Sequence, residues 1–378
     1  MSRSRYALAL LLVWLLPLAA PAEAPFRYPE GRHGKAELRY HDGLPVLTVE
    51  GTPEEIGEQV AALTTTALPR LLGFPKAYLK KFGFAAAWPA LVQMSKTLEP
   101  NFPEDHRKEM SALAARAGID REMVLVGNTL ADIKKLGGCS VLLANPERSA
   151  TGGPLFGRNL DYPTLGFLHE YSLVTVYRPT GKHAFASIGF PGFVGVLSGI
   201  NDAGLAVAVL EVYQTKDNSV AFNPEGTPYS LCYRRLLEEC GTVAEAEKLL
   251  RGLKRTTRNN LAVCDRSDGA IFEITPANLA VRRPEDGYCS CTNHFRSAEL
   301  AVAKECKRYA ALEQCRACAK LDLFEMKRLL HQANQGELTF QTMIFEPATL
   351  QLHLSIGQLP SSAQEMRLLD LRPLLNRR

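Results

Sequence analysis

The pattern of apolar residues changes character at Gly137-Gly138-Cys139, and that change limits the folds open to this chain. Before it, residues 53–134 read mainly as helix. Thr52-Pro53-Glu54-Glu55 offers a capping residue, a proline suited to a first helical turn and acids behind it, and Ile56, Val60, Leu63 and Leu68 then recur near helical spacing. Pro103-Glu104-Asp105 opens another such stretch, with Met110, Leu113 and Ala114 inward, and Asp120-Arg121-Glu122 opens a third. From Cys139 the period falls to two. Cys139 to Ala144 predicts a strand, Asn145 to Pro154 holds turn formers, and Leu155 to Tyr162 predicts the returning partner. Further strands are expected at 172–178, 183–190, 193–199 and 205–213, and helices at 228–239 and 242–252. A hairpin over 259–265 and 269–275, a helical run over 297–333 and a last hairpin over 340–356, turned at Pro347, complete the reading. Strands grouped with strands and helices with helices predict a layered α+β fold with antiparallel sheet, not alternating βαβ.

The first residues have the three zones of a secretory signal: Arg3 and Arg5, an apolar run from Ala7 to Leu18, then small residues. The run is shorter than the ~20 residues of a membrane span, and Ala20-Pro21-Ala22 predicts cleavage after Ala22. An exported protein (periplasmic, secreted or lumenal) without a stable membrane span is therefore expected. Removing residues 1–22 takes away two arginines and no acids, so the formal charge falls from +4 to +2. That balance does not suggest nucleic-acid binding.

Nine cysteines are present, and an odd number leaves at least one thiol unpaired in an oxidising compartment. Cys139 stands alone, whereas Cys232, Cys240, Cys264, Cys289, Cys291, Cys306, Cys315 and Cys318 lie downstream. Up to four downstream disulfides with a free thiol at 139 is the simplest expectation, of undetermined connectivity. A metal site on Cys289-Ser-Cys291 and Cys315-Arg-Ala-Cys318 is the competing reading, weakened by the lack of a histidine at matching spacing. No metal or cofactor is expected.

Two glycines before a cysteine that opens a strand suggest a nucleophile. Glycine permits backbone angles that bring a following side chain onto the preceding carbonyl. An N-to-S acyl shift at Gly138–Cys139, followed by hydrolysis, would leave a chain beginning with Cys139. Its α-amine, with a pKa near 7.7–8.0, can serve as base beside its own thiol. The bland alternative is a small buried residue at a strand start. Arg158 and Asp161, on the returning strand, reach the same end of the hairpin: a guanidinium favours thiolate, and a carboxylate can hold the α-amine.

Gly-Cys followed by a hairpin returning as Gly157-Arg158-Asn159-Leu160-Asp161-Tyr162 resembles the acyl-coenzyme A:6-aminopenicillanic acid acyltransferase family, and more distantly the choloylglycine hydrolases and acid ceramidase. Gly51-Thr-Pro-Glu-Glu-Ile-Gly57, Gly199-Ile-Asn201-Asp-Ala-Gly204-Leu205 and Cys291-Thr292-Asn293-His294-Phe295 extend the likeness in order. It implies an N-terminal-nucleophile hydrolase with a four-layer αββα sandwich of antiparallel sheets. It also implies self-cleavage into an α segment (23–138) and a β segment (139–378) that stay associated as one domain. The resemblance makes Cys139 the nucleophile, Arg158 its neighbouring arginine, Asp161 the amine-holding carboxylate, Asn293 an oxyanion-hole donor and Arg308 a second supporting arginine. Where bile-salt-type relatives have an oxyanion-hole asparagine this chain has Glu211, as acid ceramidase does; Glu211 is a site candidate or a solvated charge at a strand end. His294 reads as a neighbour of the site, and Asn259-Asn260 as turn formers.

The function expected is hydrolysis of a linear, non-peptide amide of a small-molecule N-acyl substrate through a thioester on Cys139. Acyl transfer to an amine uses the same intermediate. A papain-like protease is disfavoured because the C-G-x-C-W signature is absent. A catalytically inactive exported binding protein of the same fold is the alternative from another class.

Overall fold

Thr52 and Glu55 cap each other as the sequence suggests: the Glu55 amide donates to Thr52 Oγ1 at 3.3 Å and the Thr52 amide to Glu55 Oε2 at 2.8 Å. Strands β1 (Gly31–His33), β2 (Ala36–His41) and β3 (Leu44–Gly51) precede this cap in the computed structural model, which describes residues 25–302 and 305–376. Behind it come α1 (Pro53–Leu63), α2 (Leu68–Leu72), α3 (Phe74–Lys81), α4 (Trp88–Leu98), α5 (Glu104–Ala117) and α6 (Arg121–Ile133). The chain continues through β4 (Gly138–Ala144), β5 (Leu155–Asp161), β6 (Leu173–Pro179), β7 (Phe185–Gly189), β8 (Ser198–Asn201) and β9 (Ala206–Glu211). Helices α7 (Tyr229–Glu239) and α8 (Val243–Gly252) lead to β10 (Asn259–Cys264), β11 (Gly269–Ile274), β12 (Leu279–Arg282) and β13 (Tyr288–Cys291). Last come α9 (Lys307–Glu313), α10 (Leu323–Gln332), β14 (Thr339–Glu346), β15 (Gln351–Ile356), β16 (Arg367–Asp370) and α11 (Arg372–Leu375). The expected secretory signal lies outside the described residues, and among these no helix is long and apolar enough to cross a membrane.

Two sheets result. The larger has the order β1-β2-β3-β6-β7-β8-β9-β10-β11-β12, the smaller β13-β4-β5-β14-β15-β16. Strand alternation explains their stacking, because successive side chains serve opposite faces. Val141 and Leu143 of β4 pack between the sheets against Ala186, Ala208 and Leu210, while Leu142 and Ala144 face outward onto Leu329 and Leu330 of α10. The far face of the larger sheet is covered by α1, α5, α7 and α8, where Ile56, Met110, Leu113 and Leu236 meet Val207, Leu261 and Phe272. The layers are thus helix, sheet, sheet, helix, an αββα sandwich.

The two sheets depart from pure antiparallel order at one place, since β3 runs parallel to β6. The helices and the β4–β5 hairpin intervene between them, a connection long enough to permit either direction. The strand expected over 193–199 forms only from Ser198; residues 190–197 are loop, and Phe190, Phe193 and Leu197 of this loop line an apolar cavity. The helical run over 297–333 reduces to α9 and α10. Asn259 and Asn260 are buried strand residues of β10, not turn formers.

All nine cysteines are free thiols, so the expected disulfides are not formed. The layering accounts for much of this. Cys232 and Cys240 pack in the outer helical layer, Cys139, Cys264, Cys289 and Cys291 between the sheets, and Cys315 under α10. Stacked sheets lie ~10 Å apart, beyond the Cα separation a disulfide spans. The same division separates Cys289 and Cys291 from Cys315 and Cys318, against the alternative of a shared metal.

Candidate active site

Strands β4 and β5 pair in the register Gly138↔Asp161, Cys139↔Leu160 and Val141↔Arg158. Alternation puts Arg158 on the same face as Cys139, between the sheets, and Asp161 on the other face. Arg158 Nη2 donates to Cys139 Sγ at 3.4 Å and Nη1 to the Leu197 carbonyl at 2.6 Å. The guanidinium is fully buried. Its charge therefore acts on the sulfur with little screening. Burial nonetheless pushes the Cys139 thiol up to about 11, with Arg158 opposing the rise and Asp161 and Glu211 adding to it. Cys139 is accordingly a neutral thiol at pH 7.

Asp161 does not touch the Cys139 nitrogen. Its Oδ1 accepts from Thr339 Oγ1 at 2.6 Å, its Oδ2 from Gln335 Nε2 at 2.6 Å, and Arg308 Nη1 stands 3.5 Å from Oδ2. Burial raises its pKa, and these donors hold the rise back. The Cys139 N–H donates to Asn293 Oδ1 at 2.9 Å, and Arg308 donates to the Cys139 carbonyl at 2.6 Å and to Asn293 Oδ1 at 2.8 Å. Asn293 Nδ2 donates to the Glu211 carbonyl at 2.8 Å and has a second hydrogen to offer.

Asn293 is held by Asn260, a residue whose sequence context alone points to a turn. Asn260 Nδ2 donates to the carbonyls on either side of it, Thr292 at 2.9 Å and His294 at 3.1 Å. A pair of asparagines opening an otherwise apolar buried strand was the available signal. His294 Nδ1 lies 3.3 Å from Thr292 Oγ1, and its residue lines a small cavity of about 110 Å³ with Tyr213, Gln214 and Asn293.

Glu211 is buried and faces the segment ahead of the Gly138–Cys139 bond, not solvent. Its Oε2 accepts from the amides of Leu136 and Gly137 at 2.9 and 2.8 Å, and Tyr213 Oη donates to the Gly137 carbonyl at 2.7 Å. Burial pushes Glu211 up to about 7 and lowers Lys135 to about 8, each moderating the other. A carboxyl whose folded pKa is raised from 4.5 contributes stability that is fully present below pH 4.5 and is lost as pH rises through about 7. The uncut Cys139→Ala chain is expected to lose about 3 kcal/mol through this group between pH 4 and 8. Glu211→Gln should remove that share of the slope; an unchanged pH profile of thermal unfolding would contradict the assignment.

Gly138 is needed for space. Neither Gly137 nor Gly138 has a positive φ in the left-handed region, so backbone freedom is not what these positions use. A methyl at Gly138 would instead lie 1.8 Å from Gln335 Nε2.

Beside the hairpin is an apolar cavity of about 120 Å³. Leu71, Leu72 and Leu130 come to it from the helices before Cys139, and Leu160, Phe190 and Leu197 from after it. Leu160 pairs directly with Cys139, and the Leu197 carbonyl is the one Arg158 binds.

A cysteine opening an inner strand of an αββα sandwich, with an arginine on its sulfur, is the arrangement of the N-terminal-nucleophile hydrolase class. The chain belongs to the acyl-coenzyme A:6-aminopenicillanic acid acyl-transferase family, whose model matches residues 148–358. The match takes in Arg158, Asp161, Glu211, Asn293 and Arg308 and begins after Cys139. An uncharacterized protein of Archaeoglobus fulgidus is 24% identical over 273 residues, 64% of this chain and 45% of its own length. The chain thus spans about half the length of that curated relative. Among solved structures, a conjugated bile acid hydrolase from Clostridium perfringens aligns with a TM-score of 0.44 at 15% identity, over 62% of this chain and 93% of its own. The Caenorhabditis elegans ortholog of N-acylethanolamine-hydrolyzing acid amidase aligns at 0.44 and 19%, over 61% and 100%. Penicillin V acylase from Agrobacterium tumefaciens aligns at 0.40 and 12%, over 62% and 91%.

Proposed function

We propose that the chain is an exported cysteine amidohydrolase that makes its own active site by cutting itself between Gly138 and Cys139. The observation that carries the reading is the surroundings of Cys139: Arg158 on its sulfur, Asn293 on its nitrogen and Arg308 on its carbonyl. In self-cleavage the bond from Sγ to the Gly138 carbonyl carbon forms as the C–N bond breaks, and the nitrogen takes the thiol proton. Water then splits the thioester, leaving a carboxylate at Gly138 and the thiol at Cys139. Glu211 and Tyr213 support the step by holding the peptide ahead of the bond. The released amine, with a pKa near 7.7–8.0, becomes the base for its own thiol. Such a base is required, because burial holds that thiol near 11.

The substrate is an N-acyl compound with a linear, non-peptide amide. Its acyl group enters the apolar cavity beside Leu160, and the second hydrogen of Asn293 Nδ2 meets the oxyanion. Segments 23–138 and 139–378 stay together, since α1 and α5 pack on a sheet completed by later strands and β3 pairs with β6. Transfer of the acyl group to an amine differs only in the acceptor, and the small cavity beside Asn293 offers it room. On a reducing, denaturing gel the mature protein should run as fragments of 116 and 240 residues, counted from Glu23. A single intact band with full amidase activity would contradict the proposal.

A further inference from the structure

We propose that Gln335 selects the acyl group, admitting an unbranched CH₂ next to the carbonyl and refusing a substituent in the place of an L side chain there; this rests on the self-processing reading above. Gln335 lies in the loop between α10 and β14, its backbone held at one point and its side chain at another. Its amide N–H donates to Thr339 Oγ1 at 2.8 Å, and its side-chain Nε2 donates to Asp161 Oδ2 at 2.6 Å. Thr339 closes the arrangement by donating to Asp161 Oδ1. Swinging the Gln335 amide aside would take a donor from a carboxylate that is fully buried, which is costly.

That fixed amide stands against the Cα of Gly138. A Cβ there would lie 1.8 Å from Nε2, 3.0 Å from Cδ of Gln335 and 3.3 Å from Asp161 Oδ2. The first contact is too close to stand, so a substituent there is admitted only if the Gln335 amide leaves Asp161.

The link to substrate is the thioester. Self-cleavage places the Gly138 acyl group on Cys139 Sγ, and turnover places the substrate's acyl group on the same atom. The two intermediates meet the same donors and the same water, so the substrate's α-carbon takes the position of Gly138 Cα. Its chain continues where the Gly138 nitrogen was, and Gln335 blocks the L side-chain direction. Straight-chain acyl and arylacetyl groups satisfy this limit. Peptides of L residues other than glycine do not.

The test uses the self-processed enzyme and coumarin amides of straight-chain acids from six to sixteen carbons, each compared with both enantiomers of its 2-methyl analogue. The straight-chain amides should be hydrolysed. The enantiomer with its methyl in the L position should lose roughly 100-fold in kcat/KM, near the upper end of what one methyl group usually decides. Gln335→Ser should narrow that gap at least ~10-fold. Equal rates for straight-chain and branched amides, or a gap unchanged by Gln335→Ser, would overturn the role of Gln335 while leaving the self-processing reading intact. A chain that stays uncut and hydrolyses none of the amides would overturn both. Should Gln335→Ser not process, the precursor gives the same answer: Gly138→Ala must slow self-cleavage of the otherwise unaltered chain, and a wild-type rate there contradicts the contact.

Discussion

Cys139→Ala is expected to leave the chain in one piece and to abolish amide hydrolysis. In the proposed mechanism the sulfur is the acyl acceptor in both reactions, and it is the sulfur to which Arg158 donates, whereas Cys306 contacts Thr292. The substitution should be gentle on the fold. Cys139 is small and buried, and its backbone contacts with Asn293 and Arg308 do not depend on the side chain. The lost sulfur leaves Arg158 Nη2 without that partner, a cost on the order of 1–3 kcal/mol. A reducing gel, a thermal melt and an assay on N-acyl amides check the three statements together. Cys139→Ser, with a weaker nucleophile in the same place, should cut slowly. Retained hydrolysis in Cys139→Ala would put the nucleophile elsewhere.

Asn293→Ala is expected to cost ~100- to 1000-fold in turnover, the usual effect of removing an oxyanion donor. Here the residue has further duties, since Oδ1 accepts from both the Cys139 N–H and Arg308 while Nδ2 is braced on the Glu211 carbonyl. Asn293→Asp separates these duties. It keeps the acceptor and loses the donor, so turnover should be as poor as in the alanine variant even where self-cleavage partly recovers. Turnover near wild type in Asn293→Asp would show that donation from Nδ2 is not what the reaction needs.

The hairpin of β4 and β5 is legible because two short strands of period-two pattern are separated by turn formers, which brings Arg158 and Asp161 to the end of the hairpin where Cys139 follows its two glycines. The strand pattern could not set the register that decides which of the two shares a face with Cys139. Arg158 and Asp161 both reach the end of the hairpin, but an odd separation sends them to opposite sides of the sheet, so that Arg158 meets the sulfur and Asp161 meets Gln335 and Thr339. Glu211 was ambiguous for a similar reason. A carboxyl at a strand end is solvated or buried according to what packs on it, and here the segment ahead of Cys139 does. Gln335, Thr339 and Tyr213 carried no signal, since single polar residues in loops or at strand ends are common and only the fold brings these to the site. The glycine pair was noticed for its backbone freedom, whereas the structure uses Gly138 for the room it leaves to a side chain nearly 200 positions downstream.

N-terminal sequencing of the purified, mature protein tests the central claim most directly. Two sequences in equal amount are expected, one of them beginning Cys-Ser-Val-Leu-Leu at residue 139. A fully active protein that yields one N-terminus, upstream of the helices, would contradict it.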